Sequence, residues 1–202
     1  MIRYCFILFM MIQLNSFAQD YKAQIATHRE NYKADFLKDA RSPLKEGDLK
    51  NLHFFEADSN YRISAKIELL MNETPFQMPT YTGTSREYIR YAILNFKLND
   101  EPQQLTIYKS ISLSKIAEYK DHLFLPFTDE TNSEESYGGG RYIDLSSQDI
   151  SGNIIEVDFN KAYNPYCAYS DGYQCPKPPA ENDLKLKVKA GEMVYTGDKK
   201  HK

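Results

Sequence analysis

Residues 61–69 read YRISAKIEL, and this short run decides the fold class. Tyr61, Ile63, Ala65, Ile67 and Leu69 alternate with Arg62, Ser64, Lys66 and Glu68. Successive side chains of a strand point to opposite faces, so the run is a strand with one buried and one wet face. Toward the C-terminus, Arg86 to Lys97 predicts a second strand rich in tyrosine and isoleucine. Asn99-Asp100-Glu101-Pro102 turns the chain into a third, Gln104 to Tyr108, so these two pair as a hairpin. Further strands are expected at His122 to Phe127, Arg141 to Leu145, Ile154 to Phe159, Leu184 to Lys189 and Met193 to Tyr195. Strands joined by turns rather than by helices predict a mainly β (α+β) chain: an antiparallel β-sandwich or a partly open barrel.

Toward the N-terminus the period changes. Ile25, Arg29, Tyr32 and Phe36 recur at helical spacing within Asp20 to Lys38, predicting an amphipathic helix that packs on the domain by one face. Ser42-Pro43 has the form of an N-cap with proline at the first helical position, so a short helix is expected to start there and end at Gly47 or Asn51. Ahead of the amphipathic helix, Arg3 precedes an apolar run from Tyr4 to Leu14, and Ser16-Phe17-Ala18 supplies small residues for a signal peptidase. The run falls well short of the roughly 20 apolar residues that span a bilayer. Residues 1–18 are therefore expected to be a signal peptide cleaved after Ala18, leaving a single mainly-β domain over 19–202 in the periplasm or outside the cell, with no membrane span after cleavage.

The chain of 202 residues carries a net charge of -3, with its cations scattered rather than grouped, which argues against nucleic acid as a partner. Loss of the leader would remove Cys5 and leave Cys167 and Cys175, an even pair that an oxidising compartment would close as a disulfide. Closing so short a loop would restrict the unfolded chain by about 2.5 kcal/mol on the loop-entropy account. A metal role for the pair is disfavoured, since its spacing is not C-x-x-C and no histidine lies nearby.

Chemistry concentrates between Phe127 and Asn182. The acidic run Asp129 to Ser136 lacks the glycine and terminal glutamate spacing of a helix-loop-helix calcium loop. Gly138-Gly139-Gly140 leads into a strand, not a helix, so it reads as a turn with unusual dihedral angles that sets Arg141 and Tyr142 at the mouth of the sheet. Arg141 has a planar fork suited to a ligand carboxylate or phosphate; its structural alternative is a pair with Asp144, Asp158 or Glu181. Asp158, Asn160 and Asn164 lie at a strand end and in the turn after it, where they either bind ligand oxygens or bond their own loop. Tyr163 and Tyr142 belong to a dense tyrosine set whose rings can stack on sugars or other flat ligands. Glu181 and Asn182 follow a proline-rich stretch that lays them back across the sheet. No H-E-x-x-H or G-x-S-x-G motif occurs, so a serine or cysteine nucleophile with a histidine base is not expected.

These residues resemble a known family, the proteins grouped as domain of unknown function 1684. The likeness rests on Ser42-Pro43-Leu44, on Pro126-Phe127-Thr128-Asp129 through Tyr137-Gly138-Gly139-Gly140-Arg141-Tyr142, and above all on Asp158-Phe159-Asn160 through Ala162-Tyr163-Asn164-Pro165. It continues through Cys167-Ala168-Tyr169, Cys175-Pro176, Pro178-Pro179, Glu181-Asn182 and Ala190-Gly191-Glu192. The resemblance implies a bacterial or archaeal protein of mostly β structure and brings no activity, cofactor or catalytic residues.

The expected function is an exported binding domain for a small polar or sugar-like ligand. Its expected site is Arg141, Tyr142, Asp158 and Asn160 together with Tyr163, Asn164, Glu181 and Asn182. Two alternatives stand beside it. One is a hydrolase working through two of Asp129, Asp158 and Glu181, with or without a metal, which requires them to face one cleft within about 5 to 10 Å. The other is a loop architecture with no ligand. No cofactor, metal ligand set or oligomeric state is legible.

Overall fold

The structure, a computed structural model, describes residues 2–201, with side chains from Gln19 onward, so the leader and cleavage point expected at 1–18 lie outside the fully described residues. Helix α1 spans Ile2–Lys38. Seven strands follow: β1 Arg62–Leu69, β2 Phe76–Pro79, β3 Ser85–Leu98, β4 Glu101–Ser110, β5 His122–Phe127, β6 Arg141–Ser146 and β7 Ile154–Asp158. They form one antiparallel sheet in the order β6-β5-β4-β3-β1-β7, with β2 paired to β3, curled into a half-barrel. The partly open barrel is thus the correct form of the expectation, and the two-sheet sandwich is not. Curling lets the sheet wrap its core, while the C-terminal segment supplies the wall that a second sheet would have supplied.

Period-two alternation explains most of the layout. In β1, Ile63, Ala65 and Ile67 are buried and their neighbours exposed. Leu105 and Ile107 of β4, Leu123 and Leu125 of β5 and Ile143 of β6 share that inner core with Leu184, Leu186 and Val188. On the outer face of the same strands Tyr88, Tyr108, Phe124 and Tyr142 form a second, aromatic cluster. The β3–β4 hairpin turns at Asn99 and Asp100, both with positive φ (52° and 63°), the backbone of a two-residue turn whose twist matches the paired strands.

Three local expectations are corrected, and one strand is added to them. The short helix does not begin at Ser42-Pro43: the Ser42 hydroxyl closes on the backbone of Leu44, and a 3-10 helix runs from Glu46 to Asn51 instead. Strand β2 was not legible, since four residues bracketed by Pro75 and Pro79 are too short to show a period. Leu184 to Lys189 and Met193 to Tyr195 are not ladder strands. Leu184, Leu186 and Val188 do alternate with exposed lysines, but the partners of that backbone are mixed. Leu184 N–H donates to Thr128 O at 2.8 Å, whereas Val188 N–H donates to the Asp129 carboxylate and Val188 O accepts from Arg141. Side chains satisfy groups that a neighbouring strand would otherwise have to satisfy.

Helix α1 docks as its stripe predicts. Ile25 and Phe36 are buried, and Tyr21 and Arg29 tie the helix to the body through Asp158 and the Phe55 carbonyl.

Candidate functional site

Strand pleating divides the expected site into two populations. Arg141 and Tyr142 are sequence neighbours on β6, so their side chains leave the sheet on opposite faces. Arg141 enters the inner core and is fully buried. Its Nη2 donates to Asp129 Oδ2 at 2.6 Å and to Val188 O at 2.9 Å, and its Nη1 donates to Ala190 O. The guanidinium lies 5.3 Å from the centre of the Phe127 ring. Its partner is therefore Asp129 and not Asp144, Asp158 or Glu181, because only Asp129 stands on the same side of the sheet beside the C-terminal segment. Gly140, at φ +80°, makes the preceding turn, and a Cβ there would stand 2.5 Å from Phe127 O.

Tyr142 points the other way and donates its hydroxyl to Pro176 O. Asp158 Oδ1 accepts from Tyr21 Oη at 2.9 Å, and from the Asn160 backbone N–H and Nδ2, both at 3.0 Å. Asn160 Oδ1 in turn accepts from Asp58 N–H at 3.0 Å. Asn164 Nδ2 donates to Met193 O at 2.8 Å. Glu181 accepts from Tyr108 Oη at 2.7 Å, and Tyr108 is held well above the ordinary phenol range by burial and by that carboxylate.

Asn182 repairs the sheet. Pro126 of β5 has no N–H to offer β4. The Asn182 carboxamide fills that place: Nδ2 donates to Thr106 O at 2.8 Å and to Pro126 O at 2.6 Å, while Oδ1 accepts from Thr106 N–H at 2.7 Å.

A cleft of about 570 Å³ opens between α1, the outer face of β6 and the segment from Tyr163 to Pro176. Of the expected site residues, Tyr142, Asn160 and Tyr163 line it; Arg141, Asp158, Asn164, Glu181 and Asn182 do not. Asp129, Asp158 and Glu181 each bond a different part of the fold, and none lines this cleft. The pair that the hydrolase alternative names does not meet in this cleft.

The aromatic walls are continuous. Phe124 meets Tyr142 at 4.8 Å between ring centres, Tyr142 meets Tyr163 at 5.9 Å, Tyr163 meets Tyr32 at 6.1 Å, and Tyr32 meets Phe36 at 5.0 Å. Polar tips accompany the rings. Asp144 accepts from Tyr163 Oη at 2.8 Å on one oxygen and lies 2.8 Å from His122 Nε2 on the other. Burial and the Asp144 charge raise the Tyr163 phenol well above its usual range. Tyr32 was read only as part of the helix stripe, far from the glycine- and proline-rich stretch, and Asp144, within that stretch, only as a partner for Arg141.

Behind the cleft wall sits a carboxylate that the sequence offered only as part of the family pattern. Glu192 is fully buried and accepts from Tyr169 Oη at 2.6 Å, Tyr32 Oη at 2.8 Å and Asn164 N–H at 2.9 Å. Burial pushes its pKa up to about 7, against the pull of those donors. The spacing of the tyrosines gives no signal of this, since Tyr32 lies 160 positions away.

Cys167 and Cys175 stand as a disulfide pair, eight positions apart, and close the loop that carries Tyr173 and Gln174 to the cleft. Among the described residues no cluster of three or more His, Cys, Asp or Glu side chains is arranged to hold a metal, and no helix is long and apolar enough to cross a membrane.

The family model described as Protein of unknown function (DUF1684) matches residues 47–193. The solution NMR structure of an uncharacterized protein of Haloarcula marismortui is similar, with 32% sequence identity and a TM-score of 0.66 over 89% of this chain and 97% of that one. No curated protein matches the sequence.

Proposed function

The chain belongs to the DUF1684 family of proteins of unknown function, and from that premise we propose that it is an exported binding domain for a small polar or sugar-like ligand. The observation that carries the reading is the cleft, where the rings of Tyr32, Tyr142 and Tyr163 stand beside the exposed Asp144 carboxylate. Concave sites lined by apolar and aromatic surface with a few oriented polar groups are the common form of small-molecule sites. Tyr142, Asn160 and Tyr163 carry over from the sequence expectation, whereas Arg141, Asn164 and Asn182 bond groups of the fold away from the cleft. Export is supported by the leader pattern at 1–18 and is compatible with the paired state of Cys167 and Cys175.

Thermal-shift screening of the purified protein against sugars, nucleotides, carboxylates and divalent metals tests the binding. A stabilising hit that Tyr163→Ala abolishes supports it, and a panel without any hit sinks it. Export is read separately, from the N-terminal residue of the protein recovered from the periplasm or medium, which is expected to be Gln19.

A further inference from the structure

Building on the cleft as the ligand site, we propose that its ligand is a sugar-like ring bearing one carboxylate, an acid of the uronate kind, and that Arg86 holds the acid group. Arg86 stands on β3 and lines the cleft. Its Nε donates to Gln174 O at 3.2 Å and its Nη2 to Gln174 Oε1 at 3.2 Å. Both acceptors are neutral, and among the described residues no carboxylate pairs with Arg86. A guanidinium carries five N–H donors in a planar fork, so the Nη1 end remains open to a two-point acceptor.

The cleft's own carboxylates are occupied. Asp35 is held by Lys38 at 2.9 Å, Asp39 by Arg41 at 3.3 Å and by Tyr166 Oη at 3.1 Å, and Asp144 by Tyr163 and His122. Lys161 also lines the cleft without a carboxylate partner among the described residues. His28 adds no charge near neutral pH, since burial lowers its pKa. Even with the Asp144 carboxylate counted as a full negative charge, the two cations Arg86 and Lys161 leave one positive charge in excess on these walls, which favours an anionic ligand.

Two further features fix the kind of anion. Gln174 adjoins Cys175, so the bridged loop holds the acceptors that orient Arg86, and the cation is set before a ligand arrives. The near-perpendicular pair Tyr142 and Tyr163 offers ring surface to the C–H face of a sugar, and Asp144, about half exposed, offers an acceptor for ring hydroxyls that a plain aryl acid lacks.

Calorimetric titration of the purified protein with glucuronate and galacturonate, against glucose and galactose, tests the inference. The acids are expected to bind at least about tenfold more tightly than their neutral counterparts, as one charge-assisted pair allows. Arg86→Gln, an exposed position whose fold circular dichroism can verify, is expected to erase that preference, bringing the acids down to the affinity of their neutral counterparts. Equal binding of acids and neutral sugars, or a preference that survives Arg86→Gln, overturns the assignment and leaves the binding-domain reading intact. Failure of all four sugars overturns it as well, and the wider ligand panel then decides the binding-domain reading on its own.

Discussion

Arg141 Nη2 lies 2.6 Å from Asp129 Oδ2, and neither side chain touches solvent. The pair does more than neutralise two buried charges. Asp129 also receives the N–H groups of Thr131 and Val188, and Arg141 also serves the carbonyls of Val188 and Ala190. Together they join the acidic loop, β6 and the C-terminal segment. Removing one member of such a pair leaves the other charged and alone, which costs about 3–5 kcal/mol. Asp129→Ala is therefore expected to lower the unfolding free energy by that amount in urea denaturation. A loss below about 1 kcal/mol, the range of surface pairs, would show that the pair does not hold the fold.

Glu192 makes stability depend on pH with an uncommon sign. Its folded pKa, about 7, lies above the ordinary glutamate value of 4.5, so the folded state binds the proton more tightly than the unfolded state does. The Glu192 contribution is fully present below the unfolded value and is lost as pH rises through about 7. Melting temperatures measured across that window are expected to fall with rising pH, after allowance for other groups. Glu192→Gln should flatten the trend; an unchanged slope would assign it elsewhere.

Asn182 replaces a missing strand donor, so its loss should be felt at one place in the sheet. Asn182→Ala leaves Thr106 N–H and the Thr106 and Pro126 carbonyls without their partner. Each stranded buried group costs about 1–3 kcal/mol, although water can enter and recover part of it. Hydrogen exchange should accelerate at the Thr106 amide before it does at β1. Uniform acceleration across the sheet would contradict a local role.

Gly140 should not accept a side chain. Its φ of +80° is strained for any L-residue, and a Cβ would press on Phe127 O at 2.5 Å. Gly140→Ala is expected to cost about 1–3 kcal/mol in denaturation experiments, more than Gly83→Ala, which has a similar φ but open space around it.

The cysteine pair should matter to the cleft as well as to stability. Reduction is expected to lower stability by about 2.5 kcal/mol on the loop-entropy account. It should also weaken any ligand held by Arg86, because Gln174 lies in the freed loop. Titration before and after reduction of the same sample reads the second effect, and equal affinities would detach the loop from the site.

Legibility in the sequence followed the range of the interaction. Ile63, Ala65 and Ile67 announced a one-sided strand, Asn99-Asp100 a tight hairpin, and Ile25 with Phe36 a docked helix, since each signal lies within a few residues. The Leu184 to Val188 alternation was equally plain, yet its backbone partners include the side chains of Asp129 and Arg141, which no local pattern could reveal. Within the expected site, Tyr142 and Tyr163 reached the cleft while Arg141 went to the core. Composition had gathered residues that the pleat then separated.

From its sequence alone, this protein is determined to be a mainly β chain with a docked N-terminal helix, a local cysteine pair and the family pattern of residues 47–193. Periodicity and short loops settle such features because they act between near neighbours. Only the tertiary structure decided that one curled sheet forms instead of two, that Arg141 pairs with Asp129, and that Glu192 meets Tyr32 behind a cleft whose uncompensated cations include Arg86. A buried polar group must find a partner wherever the fold brings one, and for Glu192 the fold brings Tyr32 from 160 positions away.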